Sequence, residues 1–172
     1  MTPTTKTGTS LLMQSLGRNY VRYINRTYSR TETLWEGRFK STLVDSERYF
    51  LVLSRYIELN PVRAAMADHP ASYPWSSYGS NALGKRINVL TPHECYLALG
   101  GSAEERRAAY QALFEQQIPD LALRAIRETV NKSWALGDKN FIKRIEKQTG
   151  VIYGPVPCGG DRRFNGFLER SS

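Results

Sequence analysis

The sequence predicts an α+β chain in which a helix–strand–helix segment leads into a mainly helical C-terminal region. Three observations point there. A helical-period apolar stripe runs from Ser10 to Tyr28, a period-two alternation covers Leu34 to Val44, and helix-start signals recur beyond Leu90. At 172 residues the chain has room for one cored domain, or for one domain with a helical appendage, at roughly 100–200 residues per domain.

Each element follows from local physics. Ser10 is read as the N-cap of a first helix that places Met13, Leu16, Tyr20, Ile24 and Tyr28 on one face and leaves Gln14, Arg18, Arg22 and Arg26 outside it. From Leu34 to Val44, Trp35, Gly37, Phe39, Ser41 and Leu43 alternate with Glu36, Arg38, Lys40 and Thr42, which predicts a strand. Asp45 caps a second helix over about Ser46 to Asn60, with Tyr49, Val52, Leu53, Tyr56 and Asn60 as its inward face. Pro61 disfavours the α conformation at Asn60, so that helix ends or bends there. The stretch 68–85 is rich in Pro, Ser and aromatics and reads as an ordered loop anchored by its rings.

A boundary is expected within 80–90. Thereafter Thr91-Pro92-His93-Glu94 reads as a capping box, and Ser102-Ala103-Glu104-Glu105 opens a helix through about Gln116. Further helices fit about Asp120–Asn131 and Lys139–Gln148, with Gly150 as the C-terminal stop. The segment 154–172 offers little to bury and is expected to be a mobile basic tail.

Composition narrows the partners. Twenty-four Lys and Arg against 16 Asp and Glu leave a net charge of +8, which favours polyanions and makes nucleic acid the first partner to consider. No run approaches the roughly 18 apolar residues of a membrane span and the N-terminus lacks a signal-peptide pattern, so a cytoplasmic protein without a membrane partner is expected. The two cysteines, Cys95 and Cys158, form no Cys-x-x-Cys pair, and His93 with Cys95 would make only half a metal site. Asn25-Arg26-Thr27 fits a glycosylation pattern that has no meaning in a protein that is not exported.

Two sets of residues can carry chemistry. Arg18, Arg22, Arg26 and Arg30 step by four, which lays at least the first three along one helical stripe. With Arg38 and Lys40 they can form a phosphate-binding surface or remain a solvated face. Tyr56 and Asn60, also four apart, share one helical face where a phenol and a carboxamide oxygen can reach the same phosphate or cation. Spacing alone favours the plainer alternative, with Tyr56 packed in the core and Asn60 capping the helix before Pro61.

Four blocks change that weighting: Leu12 to Asn25, Thr33-Leu34-Trp35-Glu36-Gly37-Arg38-Phe39-Lys40-Ser41, Tyr56-Ile57-Glu58-Leu59-Asn60-Pro61-Val62-Arg63-Ala64, and Tyr73-Pro74-Trp75-Ser76-Ser77-Tyr78. In this order they closely resemble the REP-associated tyrosine transposases, of the single-tyrosine HUH superfamily. The resemblance implies a ferredoxin-like α+β domain that nicks and rejoins single-stranded DNA at palindromic repeat hairpins through a 5′-phosphotyrosine intermediate. It maps the nucleophile onto Tyr56 and one metal ligand, for Mg²⁺ or Mn²⁺, onto Asn60. The family's His-hydrophobic-His motif precedes the first helix in relatives and does not occur in this sequence. The expectation is therefore a partial domain, truncated or decayed: 1–85 as the C-terminal part of the catalytic domain and 86–153 as a helical appendage. Cation binding and cleavage would be impaired, and a DNA-binding remnant is the alternative. Relatives pair, so a homodimer is the assembly suggested.

Overall fold

A computed structural model describes Thr5 and residues 7–155, which fall into two compact units, Met1–Ser41 and Thr42–Ser172. In the first unit, α1 (Gly8–Thr27) is free of proline and carries Arg26 in its last turn, where a cation opposes the negative end of the helix dipole. It starts two residues before Ser10, which therefore lies inside the helix rather than capping it. Beyond α1 the chain turns back at Ser29, in the left-handed region at φ 52°. Asn25 fastens this return by donating from Nδ2 to the Glu32 carbonyl at 3.1 Å. Trp35 thereby comes back onto α1, its ring 6.0 Å from that of Tyr20 and its indole nitrogen beside Gly17.

The expected strand is overturned: among the described residues Leu34–Val44 forms no strand and no sheet exists, so the helix–strand–helix remnant of a ferredoxin-like α+β domain is not what this chain adopts. The described fold is helical. Alternation allows a half-buried strand, but backbone donors and acceptors along it need a neighbour to pair with. Only its end finds one, an isolated parallel bridge of Val44 with Leu136, in which the Leu136 N–H donates to Leu43 and the Asp45 N–H to Leu136, both at 2.8 Å. Trp35, Phe39 and Leu43 stay exposed.

The second unit is built from α2 (Ser46–Glu58), α3 (Asn60–Arg63), α4 (Tyr78–Asn81), α5 (Glu94–Leu97), α6 (Ala103–Glu115), α7 (Asp120–Lys132) and α8 (Lys139–Thr149), with a 3₁₀ turn at Pro70–Ser72. As the proline requires, α2 stops at Glu58 and the chain restarts as α3, with Pro61 in its first turn. Ser102 and Glu105 form the expected capping box: Ser102 Oγ accepts from the Glu105 N–H at 3.1 Å, and Glu105 Oε2 accepts from the Ser102 N–H at 3.3 Å. The Thr91 box does not form, because His93 is the cap of α5 and accepts from the Cys95 N–H. Gly150 ends α8 in the left-handed conformation at φ 69°.

The core centres on Tyr78, Ala82 and Tyr110, with Leu51, Tyr96, Leu99, Leu113 and Phe114 packed around them. Its rings meet edge to face, Tyr78 on Phe114 at 4.8 Å and Tyr96 on Tyr110 at 5.5 Å. The loop before α4 is thus anchored by Tyr78, whereas Trp75 points outward at 84% exposure. The buried side of α2 also differs from the expected one. Arg55 and Glu58 are buried and Leu51 packs on the core, while Tyr49, Val52, Leu53 and Tyr56 are only half-buried and Asn60 is exposed. The face turns because Glu58 finds hydrogen-bond partners inside, which an apolar-stripe argument cannot register.

Ile126 of α7 and Ile145 of α8 are buried, as are Ala135 and Leu136 in the connection between those helices. Between them, a Cβ placed on Gly137 would collide with the Phe141 ring. Gly137→Ala is therefore expected to destabilise the second unit by about 1–3 kcal/mol, read from urea unfolding followed by circular dichroism. Cys158 and nearly all of the proposed basic tail lie outside the described residues. No helix among the described residues is long and apolar enough to cross a membrane.

Candidate functional site

At the junction of α2 and α3, Tyr56 and Asn60 come together through a residue that spacing arguments had passed over. Arg63 lies seven residues after Tyr56 and three after Asn60, and its guanidinium sits 4.2 Å from the centroid of the Tyr56 ring. The same group donates to the Tyr56 backbone carbonyl at 2.7 Å and to Asn60 Oδ1. The turn that follows holds Arg63 in place: the Met66 N–H reaches the Pro61 carbonyl at 2.8 Å, and Ala65 adopts the left-handed conformation at φ 53°. Tyr56 is half-buried, and its hydroxyl makes no hydrogen bond among the described residues. A phenol, a carboxamide and a guanidinium thus share one surface, an arrangement suited to a phosphate.

This surface rests on a buried polar network. Glu58, fully buried, accepts from Ser77 Oγ at 2.5 Å and Asn81 Nδ2 at 3.4 Å through one oxygen, and from the Tyr110 hydroxyl at 3.0 Å through the other. Burial pushes the Glu58 carboxyl above its usual range, and the three hydrogen bonds oppose that rise only in part. Burial, together with the neighbouring Glu58, likewise raises the Tyr110 phenol. Arg55, one turn earlier, donates to the Gln116 carbonyl, and burial lowers the pKa of its guanidinium. The Glu58–Ser77 contact joins the Tyr56–Ala64 stretch to the Tyr73–Tyr78 stretch.

A divalent cation does not fit the residues around Tyr56. The Asn60 amide oxygen already accepts from a guanidinium, which would repel it. Both histidines use Nδ1 to cap short turns, His69 for the Ala71 N–H at 3.1 Å and His93 for the Cys95 N–H at 3.2 Å. Among the described residues no group of three or more His, Cys, Asp or Glu is placed to hold a metal ion.

The other expected site residues, Arg18, Arg22, Arg26, Arg38 and Lys40, all belong to the Met1–Ser41 unit and are exposed. The first three lie along α1, and the last two on the irregular segment after Trp35. Arg18 and Arg22 line an open groove with Gly17, Val21 and Trp35. Two residues of the Tyr56 site were missed in the sequence. Arg63 was detectable from helical spacing across the proline, whereas Glu58 gave no signal because its partners are 19 to 52 residues away. Compared with protein-family models, curated proteins and solved structures, the chain matches none.

Proposed function

We propose that the protein is a strand-transferring DNA-binding protein of the REP-associated tyrosine transposase type, which engages single-stranded hairpin DNA and offers the Tyr56 oxygen as phosphoryl acceptor. The cluster of Tyr56, Asn60 and Arg63 carries this reading, because it sets a half-buried phenol beside a cation held by hydrogen bonds. The net charge of +8 supports it as well. So does the way Glu58 ties together two of the four blocks on which the family resemblance rests.

In the reaction, the Tyr56 oxygen attacks a backbone phosphorus and the bond from phosphorus to the 3′-oxygen breaks. The products are a 5′-phosphotyrosine and a free 3′-hydroxyl. The phenol proton leaves to solvent, and the departing oxygen takes one up. Arg63 would offset charge on the phosphate while the Asn60 amide holds that guanidinium in orientation.

A second reading, a DNA-binding protein without cleavage, is favoured by one observation: Arg63 engages the amide oxygen that the family assigns to a metal. A gel shift with a labelled single-stranded hairpin, run beside a denaturing gel for protein-linked DNA, separates the two. A covalent species supports strand transfer, a shift without one supports binding alone, and the absence of both removes both readings. Arg63→Ala is expected to weaken hairpin binding and to lower the salt slope by about 0.7, the value of one single-strand phosphate contact. Its helical circular dichroism should match that of the wild type, because Arg63 is exposed.

A further inference from the structure

Residues 1–41 contain seven Lys and Arg against only Glu32 and Glu36, so five of the eight net positive charges fall in less than a quarter of the sequence. Within this basic unit the return of the chain onto α1 builds a groove of about 340 Å³, lined by Gly17, Arg18, Val21, Arg22 and Trp35. Trp35 is held from one side by Gly17 and Tyr20 yet remains 50% exposed. Among the described residues no acidic side chain lines the groove, and its two cations are one helical turn apart on the same stripe.

A large aromatic ring left open beside two guanidiniums has a specific complement. An unpaired base offers a flat π face to the indole, and the phosphates on either side of it offer anions to the arginines. A paired base cannot, because both of its faces are already stacked within the duplex. The geometry points to a nucleotide-binding groove for single-stranded DNA, in which one unpaired base stacks on Trp35 and its flanking phosphates bind Arg18 and Arg22. This inference rests on the reading that the chain engages single-stranded DNA, and it assigns that binding to the Met1–Ser41 unit. The groove takes any base, because stacking is tolerant of sequence.

The test uses the full chain with Trp75→Phe and Trp134→Phe, which leaves Trp35 as the only tryptophan. Fluorescein-labelled oligothymidine reports binding by anisotropy, and unlabelled oligothymidine reports stacking by quenching of Trp35 emission. Saturable quenching that tracks the anisotropy curve is expected. Trp35→Ala should bind about 5- to 160-fold more weakly, the loss that follows removal of one base–aromatic stack, while Trp35→Phe should recover most of the affinity. Arg18→Ala with Arg22→Ala should lower the salt slope by about 0.7 for each lost phosphate. Should oligothymidine bind with Trp35 emission unchanged, or a blunt duplex quench it equally, the groove assignment is overturned while DNA binding stands. Absence of any anisotropy change in the wild type would overturn the groove assignment as well, and only the further absence of a gel shift with the hairpin would remove the broader reading.

Discussion

Replacing Glu58 with alanine is expected to destabilise the Thr42–Ser172 unit by about 3–5 kcal/mol. The fully buried carboxylate collects donors from Tyr110 in the core and from the half-buried Ser77 and Asn81. Alanine would leave all three without their acceptor and open a cavity as well, and each stranded buried polar group costs roughly 1–3 kcal/mol. For a domain whose total stability is about 5–15 kcal/mol, that is a large fraction. Glu58→Gln keeps the volume and one acceptor oxygen, and its amide can donate to the Tyr110 oxygen, so it should cost less than about 1.5 kcal/mol. Urea unfolding of both variants beside the wild type gives the comparison. Equal midpoints for wild type and Glu58→Ala would refute the network.

The same substitution carries a pH signature. Burial raises the folded-state pKa of Glu58 above its unfolded value, so over that interval the folded protein binds more protons than the unfolded one. This group's contribution to stability is therefore fully present below about pH 4.3, the ordinary glutamate value, and is lost as pH rises through the folded-state pKa. Glu104, Glu105 and Asp138 have lowered values and contribute in the opposite sense, losing stability as pH falls. The difference between wild type and Glu58→Gln isolates the Glu58 contribution. It should favour the glutamine variant increasingly as pH rises from about 4.3.

Tyr56→Phe is expected to abolish formation of protein-linked DNA while leaving fold stability within about 0.5 kcal/mol of the wild type. The change removes one hydroxyl that makes no hydrogen bond among the described residues, and the ring against which Arg63 rests is retained. The combination of complete chemical loss with an unchanged fold is what a nucleophile produces. A tyrosine serving only as packing would give no chemical phenotype, and one serving as a structural hydrogen-bond donor would lower stability. Measuring unfolding and adduct formation on the same preparation distinguishes these cases.

The helical half of this chain was legible because its signals are local. Ser102 and Glu105 announce α6 through a capping box, Gly150 closes α8 through backbone freedom, and Asp120 stands in the first turn of α7, where a carboxylate suits the positive end of the helix dipole. The segment Leu34–Val44 misled because alternation describes one edge of a pair, and the partner that would make it a strand is a non-local matter. The inward face of α2 misled for a related reason. Hydropathy counts Glu58 and Arg55 as surface residues, yet Glu58 is matched by Ser77, Asn81 and Tyr110, and Arg55 by the Gln116 carbonyl. At the candidate site, the pairing of Tyr56 with Asn60 followed from helical geometry. That Arg63 would hold the Asn60 amide required knowing how the chain turns after Pro61.

Peptide mapping by mass spectrometry, after incubation of the 172-residue chain with a single-stranded hairpin, decides whether Tyr56 is the nucleophile. The expected result is a peptide carrying a nucleotide phosphate on the Tyr56 oxygen, absent from Tyr56→Phe. Stable hairpin binding with an unmodified Tyr56, or linkage at another residue, would contradict it.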